Sequence, residues 1–250
     1  ENLLSFYIND LGLLNSTVGK YVSTLKTFLH WATERGYNEK MDFVKFKVPK
    51  YETDIIYLTE RELFDLYKFD LSRNKRLEQV RDVFCFGCFT GQRFSDIEHL
   101  RKEHIKGDSW MLHTQKTKET IQVPLNDYAA EILEKYDCKL PVISNQKTNE
   151  YLKELGEKTE IDEPVTLTKY KGAERIDLTE PKHNFITTHT ARRTFVTLSL
   201  EKGMRPEMVM SITGHKSYKI FKKYIKITNK VKHAEMKRIW SKETHLRKVV

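Results

Sequence analysis

Four side chains in the stretch Thr188–Tyr224 have the chemistry to act together on one phosphodiester: His189, Arg192, His215 and Tyr224. A phenol that attacks phosphorus forms a link that can be undone, because phenolate leaves far more readily than an alkoxide. An unperturbed phenol ionises only near pH ~10, so attack at neutral pH needs a proton acceptor or strong positive potential beside it. Imidazoles and guanidiniums supply both. The guanidinium fork also matches the extra negative charge that the non-bridging oxygens carry when phosphorus becomes five-coordinate, and such preorganised charge is usually the largest catalytic contribution.

The surrounding residues predict how these groups are held. His189 and Arg192 are three apart, which puts them on one face of a helix. Thr188 is the predicted cap, Phe195, Val196 and Leu198 follow, and Gly203 ends the helix. A second helix is predicted from Pro206, a residue suited to a first helical position, to Gly214, with His215 projecting from the turn. Tyr224 falls in a segment where Ile220, Phe221, Tyr224 and Ile225 recur at helical spacing. On pattern alone such a tyrosine is more often core than nucleophile, and Tyr218 is a close rival.

The order H-x-x-R, G-H, Tyr resembles the C-terminal signature of the tyrosine recombinases, the integrase family of site-specific DNA recombinases. The resemblance implies a further Arg upstream, in a turn of the type T-G-x-R-x-S-[DE], and a Lys in a hairpin between the two parts. Arg93 in TGQRFSDIEHL and Lys116 in HTQKTKETIQVPL fill those places. The nine-residue spacing from His215 matches the family at Tyr224 and not at Tyr218, and Lys116, directly before Thr117, matches better than Lys118. Asp96 matches an acidic residue that commonly follows the first Arg and is expected to orient the site without reacting. Gln92 departs from the Leu often found before that Arg, with local packing the expected consequence. The runs KYVSTLKTFLHWATERGYN, FTGQRFSDI and ITGHKSYKIFKKYIKI carry a closer resemblance to integrases of Bacteroidetes mobile elements and prophages.

The resemblance implies Tyr224 as nucleophile, His189 as general base in cleavage and acid in the reverse step, and Arg93, Arg192 and His215 as donors to the non-bridging oxygens. Lys116 would protonate the leaving 5′-oxygen. No cofactor and no metal enter this scheme, and the sequence carries no H-E-x-x-H, paired C-x-x-C, D-x-D-x-D or G-x-x-x-x-G-K-[ST] motif.

The rest of the chain reads as the frame for this site. Asn15–Gly36 is an amphipathic helix capped by Ser16 or Thr17, with an apolar stripe of Val18, Tyr21, Val22, Leu25, Phe28, Leu29 and Ala32. Its other face carries Lys20, Ser23, Thr24, Lys26, Thr27 and His30, which are either a solvated face or ligands of DNA phosphates. Residues 42–54 lack an apolar period and read as a linker. Thr59 and Glu62 have capping-box spacing, and so do Ser95 and Glu98. Leu77–Phe89 is a mostly apolar helix, in which Cys85 and Cys88 read as core residues rather than half a metal site.

Trp110–Gln115 and Thr120–Leu125 form a predicted hairpin with Lys116 near its tip. Asn126 caps a helix to about Lys135 with Ala129, Ala130, Ile132 and Leu133 inward, and another helix is predicted over about Asn149–Gly156. Val165–Leu178 is either a second hairpin or an irregular pair of strands around Lys171-Gly172, Lys182 and His183 are given no catalytic role, and a last helix is predicted over Val231–Trp240.

The fold expected is mainly α with a small β-sheet (α+β). Residues 1–50 are the later part of a helical, SAM-like core-binding domain and 51–250 a tyrosine recombinase catalytic domain. The net charge of +9, from 44 Lys and Arg against 35 Asp and Glu, favours a polyanionic partner. No apolar run reaches the ~20 residues that span a bilayer and no signal-peptide pattern opens the chain, so the expectation is a soluble protein of the bacterial cytoplasm with no membrane partner. A chain that starts at Glu1 within a helical pattern is expected to lack an N-terminal portion. The family implies double-stranded DNA as partner, a homotetramer on DNA with a monomer in solution, and accessory DNA-bending proteins. Two alternatives stay open at this point: a type IB topoisomerase, and a non-catalytic DNA-binding relative.

Overall fold

The computed structural model describes residues 2–47, 55–116 and 118–227. In chain order the elements are α1 (Asn2–Ser5), which runs into a π turn at Phe6–Asp10, α2 (Asn15–Glu34), a 3-10 turn at Asp42–Lys45, α3 (Glu60–Lys68), α4 (Lys75–Thr90) and α5 (Phe94–Ile97). Next come β1 (Ile105–Lys106), β2 (Ser109–His113), β3 (Thr120–Pro124), α6 (Asp127–Lys135), α7 (Asn145–Lys158), β4 (Pro164–Lys171) and β5 (Glu174–Pro181). The described chain ends with α8 (Thr188–Glu201), α9 (Pro206–Thr213) and α10 (Tyr218–Ile227). The fold is thus mainly helical with small antiparallel sheets, as expected. Most of the predicted linker, 48–54, and the predicted helix Val231–Trp240 lie outside the described residues. Two compact units result, one of Glu1–Asp54 with Pro164–Glu180, the other of Ile55–Glu163 with Pro181–Val250.

In the first unit α2 packs on β4 and on the π and 3-10 turns. Asn15, on the predicted cap stretch, does something else. Its side-chain amide donates to Gly172 O at 2.8 Å and its Oδ1 accepts from Gly172 N at 2.7 Å, so it clasps the β4–β5 turn. The helix therefore begins at Asn15 after Leu14 with no side-chain cap, and neither Ser16 nor Thr17 serves as one. Val18, Val22 and Ala32 are buried, whereas Tyr21, Leu25 and Phe28 of the predicted stripe are exposed. The described elements that pack on α2 cover only its Val18, Val22 and Ala32 side. Phe28, Trp31 and Tyr37 instead stack in series along the surface, with the Arg35 guanidinium 4.7 Å from the Trp31 ring centre.

The second unit is built round α4, buried from Val80 to Thr90 and packed by α3, α6, α7 and α8. Cys85 and Cys88 sit in this core as free, buried thiols, pushed up in pKa first by burial. The capping box at Thr59 forms: Thr59 N donates to Glu62 Oε2 at 2.6 Å and Glu62 N to Thr59 Oγ1 at 3.3 Å. Lys182 Nζ reaches the same carboxylate at 2.7 Å, a structural ion pair.

Several boundaries differ from expectation. Ser95 and Glu98 make no capping box, because α5 is one turn long and its cap is Arg93 itself. Helix α8 is capped by Thr187, whose N–H donates to Thr190 Oγ1 at 3.0 Å, and Thr188 is its first residue. Helix α7 begins four residues before the predicted Asn149, on a Ser144 cap, and Ala130 in α6 is exposed. Strand β1, absent from the sequence reading, makes the hairpin a three-stranded antiparallel sheet in the order β1-β2-β3. Trp110 pairs with Val123 and Leu112 with Ile121; Trp110, Leu112 and Val123 are buried.

Gly91 ends α4 in the left-handed region at φ 72°, and a Cβ there would lie 2.3 Å from the Phe195 ring. Gly91→Ala therefore combines a left-handed Cβ, worth about 1–2 kcal/mol, with overpacking, worth about 1–3 kcal/mol. Gly36, at φ 75° with nothing within 4 Å, carries the first cost alone. Urea unfolding is expected to show Gly91→Ala as the more destabilised of the two by at least about 1 kcal/mol.

Candidate active site

The second unit brings Arg93, Lys116, His189, Arg192, His215 and Tyr224 to one face, from five different elements. Arg192 is the best enclosed, at 1 % exposure, although it is a cation. Backbone carbonyls help it survive burial: Nη1 donates to Gly91 O at 2.9 Å and Nη2 to Thr213 O at 2.6 Å. The same Nη2 lies 3.2 Å from Nδ1 of His215. Nε2 of the same ring lies 3.4 Å from Nη2, and Nδ1 lies 2.7 Å from Thr213 Oγ1, whose own proton goes to Val209 O at 2.6 Å, so the imidazole is held between Arg192 and the end of α9. Burial, then the Arg93 charge, lower the Arg192 pKa to about 9, which still leaves it charged at neutral pH.

Arg93 is half-buried at the start of α5, with Nη1 3.5 Å from Asp96 Oδ2. Asp96 is fully buried, and its other oxygen accepts from Gln115 N at 2.8 Å, beside Lys116. One carboxylate therefore holds both the Arg93 turn and the base of the hairpin. Lys116 is exposed on the turn after β2, which is closed by Thr114 N donating to Glu119 O at 2.8 Å and Lys118 N to Thr114 O at 3.0 Å. The predicted hairpin and the position of Lys116 on it are as expected.

His189 lies in the first turn of α8, one turn before Arg192, and stays exposed. Desolvation and then Arg193, Arg192, Arg93 and Lys116 lower its pKa to about 4. With the ring still open to solvent, the four cations are the more durable part of that shift. His215 follows Gly214, the left-handed cap of α9 at φ 64°, and burial, then Arg192, Arg93 and His189, lower its pKa to about 3. Tyr224 is 7 % exposed on α10, with its ring 6.1 Å from that of His215 and 5.8 Å from that of Phe221. Tyr218, the rival, is 53 % exposed.

The depressed histidines have a consequence for stability. Between their folded pKa values and the ordinary 6.5, the unfolded chain takes up protons that the folded chain refuses. Each histidine thus costs nothing above pH 6.5 and an increasing amount as pH falls toward 4. Thermal unfolding without DNA is expected to show Tm falling across this window, and His215→Ala to make the fall shallower. An unchanged slope in that variant would contradict the assigned environment.

Sequence reasoning missed four contributors: the Gly91 carbonyl, the Thr213 carbonyl, Thr213 Oγ1, 2.7 Å from His215 Nδ1, and Arg193 beside His189. Only Arg193 left a signal, the doublet Arg192-Arg193. On α2, Lys20, Ser23, Thr24, Thr27 and His30 are exposed, whereas Lys26 Nζ donates to Val44 O at 3.0 Å and Phe46 O at 2.9 Å. His30 packs edge-on against Phe43, and the Thr24 and Thr27 hydroxyls bond back to Lys20 O and Ser23 O.

Residues 57–230 match the model of the phage integrase family. A tyrosine recombinase of Thermosipho africanus is 23 % identical over 228 residues, covering 90 % of this chain and 76 % of its own. Among solved structures, a lambda integrase dimer bound to a COC′ core site superposes with a TM-score of 0.66 at 18 % identity, over 89 % of this chain and 77 % of that one. The same protein as a tetramer on a Holliday junction gives 0.64 at 18 % identity, over 89 % and 62 %. The Tn1549 transposon integrase in complex with circular intermediate DNA gives 0.63 at 17 % identity, over 93 % and 82 %.

Proposed function

This chain belongs to the phage integrase family and is a site-specific tyrosine recombinase, a DNA breaking-and-rejoining enzyme; from that premise we propose which residues perform each step. Tyr224 Oη attacks the scissile phosphorus while His189, neutral at pH 7, takes its proton. Arg93, Arg192 and His215 hold the non-bridging oxygens as their charge rises. The phosphorus–5′-oxygen bond breaks, Lys116 protonates the departing oxygen, and the strand is left as a 3′-phosphotyrosyl ester. Attack by another 5′-hydroxyl reverses these transfers, with His189 returning the proton to the phenolate. Asp96 acts by aligning Arg93 with the hairpin.

The observation that carries this reading is the convergence of Arg93 and Arg192 on two histidines kept neutral, with Lys116 acting on His189 and Tyr224 on Arg192, and with Asp96, among the described residues, the one carboxylate that enters the electrostatics of Arg192. Such a surplus of positive charge is matched by a phosphodiester.

Residues 1–50 are proposed as the later part of the core-binding domain and 51–250 as the catalytic domain. Lys20, Ser23, Thr24, Thr27 and His30 are the proposed phosphate contacts of α2, with Lys26 reaching DNA only by giving up its carbonyl partners. The lambda integrase tetramer on a Holliday junction supports assembly on DNA as a homotetramer, and the Tn1549 transposon integrase supports service to a mobile element; a Bacteroidetes element is the finer proposal, resting on the sequence runs alone. Among the described residues no helix is long and apolar enough to cross a membrane, and the bacterial cytoplasm, with accessory DNA-bending proteins, is the proposed setting.

Incubation with a pool of nicked suicide duplexes of varied sequence tests the assignment. A detergent-resistant protein–DNA adduct on a restricted set of sequences is expected. Salt-sensitive binding with no adduct on any duplex would overturn it.

A further inference from the structure

Gln92, beside Arg93, has no assigned part in the chemistry, yet it is 1 % exposed and its two amide hydrogens are fully committed. Nε2 donates to Thr90 O at 2.9 Å and to Ile212 O at 2.8 Å, the second bond joining residues 120 apart. Two carbonyl acceptors fix the amide's orientation, because the flipped form would set Oε1 against both of them. Oε1 itself is buried and has no partner among the described residues. An amide that leaves a buried acceptor unmatched is a poor choice for stability alone.

The position of the second bond gives it a purpose. Helix α9 ends at Thr213, so its last carbonyls lack partners within the helix. Gln92 takes the carbonyl of Ile212 and Arg192 takes that of Thr213, and His215 stands directly beyond Gly214. The Arg93 turn and the His215 turn are thus joined by one side chain on the Arg93 side. We propose that Gln92 is a positioning residue for the reaction, holding the His215 turn in register with Arg93 so that both donors meet one phosphate. This rests on the recombinase reading above.

Gln92→Met and Gln92→Leu keep the volume and remove both bonds together with the unmatched acceptor. Three quantities separate positioning from structural support: Tm, single-turnover cleavage of a suicide duplex alongside its binding, and the ring resonances of His215 and His189 in the DNA-free protein. The expected result is a Tm lowered by the loss of partners at Thr90 O and Ile212 O, unchanged DNA affinity, and cleavage slower by roughly 10- to 100-fold, the scale of a misplacement near 1 Å. The His215 resonance moves and that of His189 stays. Cleavage at the parent rate with an unmoved His215 resonance would overturn the proposal, and so would slower cleavage accompanied by an equal loss of DNA binding and equal shifts of both histidine resonances. If the parent itself makes no adduct, the recombinase reading fails, while the His215 resonance still decides what Gln92 holds.

Discussion

Tyr224→Phe is expected to abolish strand cleavage while leaving the fold and DNA binding in place. The substitution removes one oxygen from a side chain that is 7 % exposed and packed against Phe221 and His215, and the ring contacts remain. Loss of an enzymatic nucleophile costs on the order of 10⁶ in rate, which takes covalent attachment below detection. The neighbouring Tyr218→Phe is the contrast. That residue is 53 % exposed, and its variant is expected to cleave at the parent rate. Single-turnover cleavage, with DNA binding measured on the same samples, checks both.

Arg192→Lys has the second largest expected effect, although charge is conserved. The guanidinium serves two carbonyls and a histidine while pointing its charge at the phosphate position, and a single ammonium cannot reproduce that fork. Loss of one transition-state donor costs about 10²–10³-fold in rate. Freeing a buried carbonyl, either Gly91 O or Thr213 O, costs a further ~1–3 kcal/mol of stability. Cleavage is therefore expected to fall at least about 100-fold, with a lower urea midpoint. Arg93 bonds to Asp96 and, among the described residues, to no such carbonyl, so Arg93→Lys should lose rate with little loss of stability. Equal stability losses in the two variants would contradict the distinction drawn between a buried, structural guanidinium and a half-buried one.

Most of this site was legible because its parts sit beside local signals. The Pro206 start and Gly214 stop of α9, the Asn126 and Thr59 caps, and the alternation around Lys116 each depend on residues a few positions apart, and each appears as read. The order of the reactive side chains supplied the family. What escaped has a common cause, in that it depends on partners remote in sequence. Ser16 and Thr17 look like caps, yet the helix starts uncapped with Asn15 bonded to Gly172, and Lys26 looks free until the carbonyls of Val44 and Phe46 reach it. The Gln92 departure was read as packing, whereas its partner is the Ile212 carbonyl. Helix α7 begins in the polar run after Ser144, where no apolar period marks it, and β1 is two residues long. Ser95 and Glu98 had the spacing of a capping box on a helix too short to use it.

The measurement that bears most directly on the whole account is the identity of the residue joined to DNA. The adduct trapped on a suicide duplex would be digested with protease and nuclease, and the peptide that retains nucleotide mass sequenced by mass spectrometry. The account predicts a phosphotyrosyl modification on Tyr224 alone, joined to a 3′ end. Modification at Tyr218, at another side chain, or through a 5′ phosphate would contradict it.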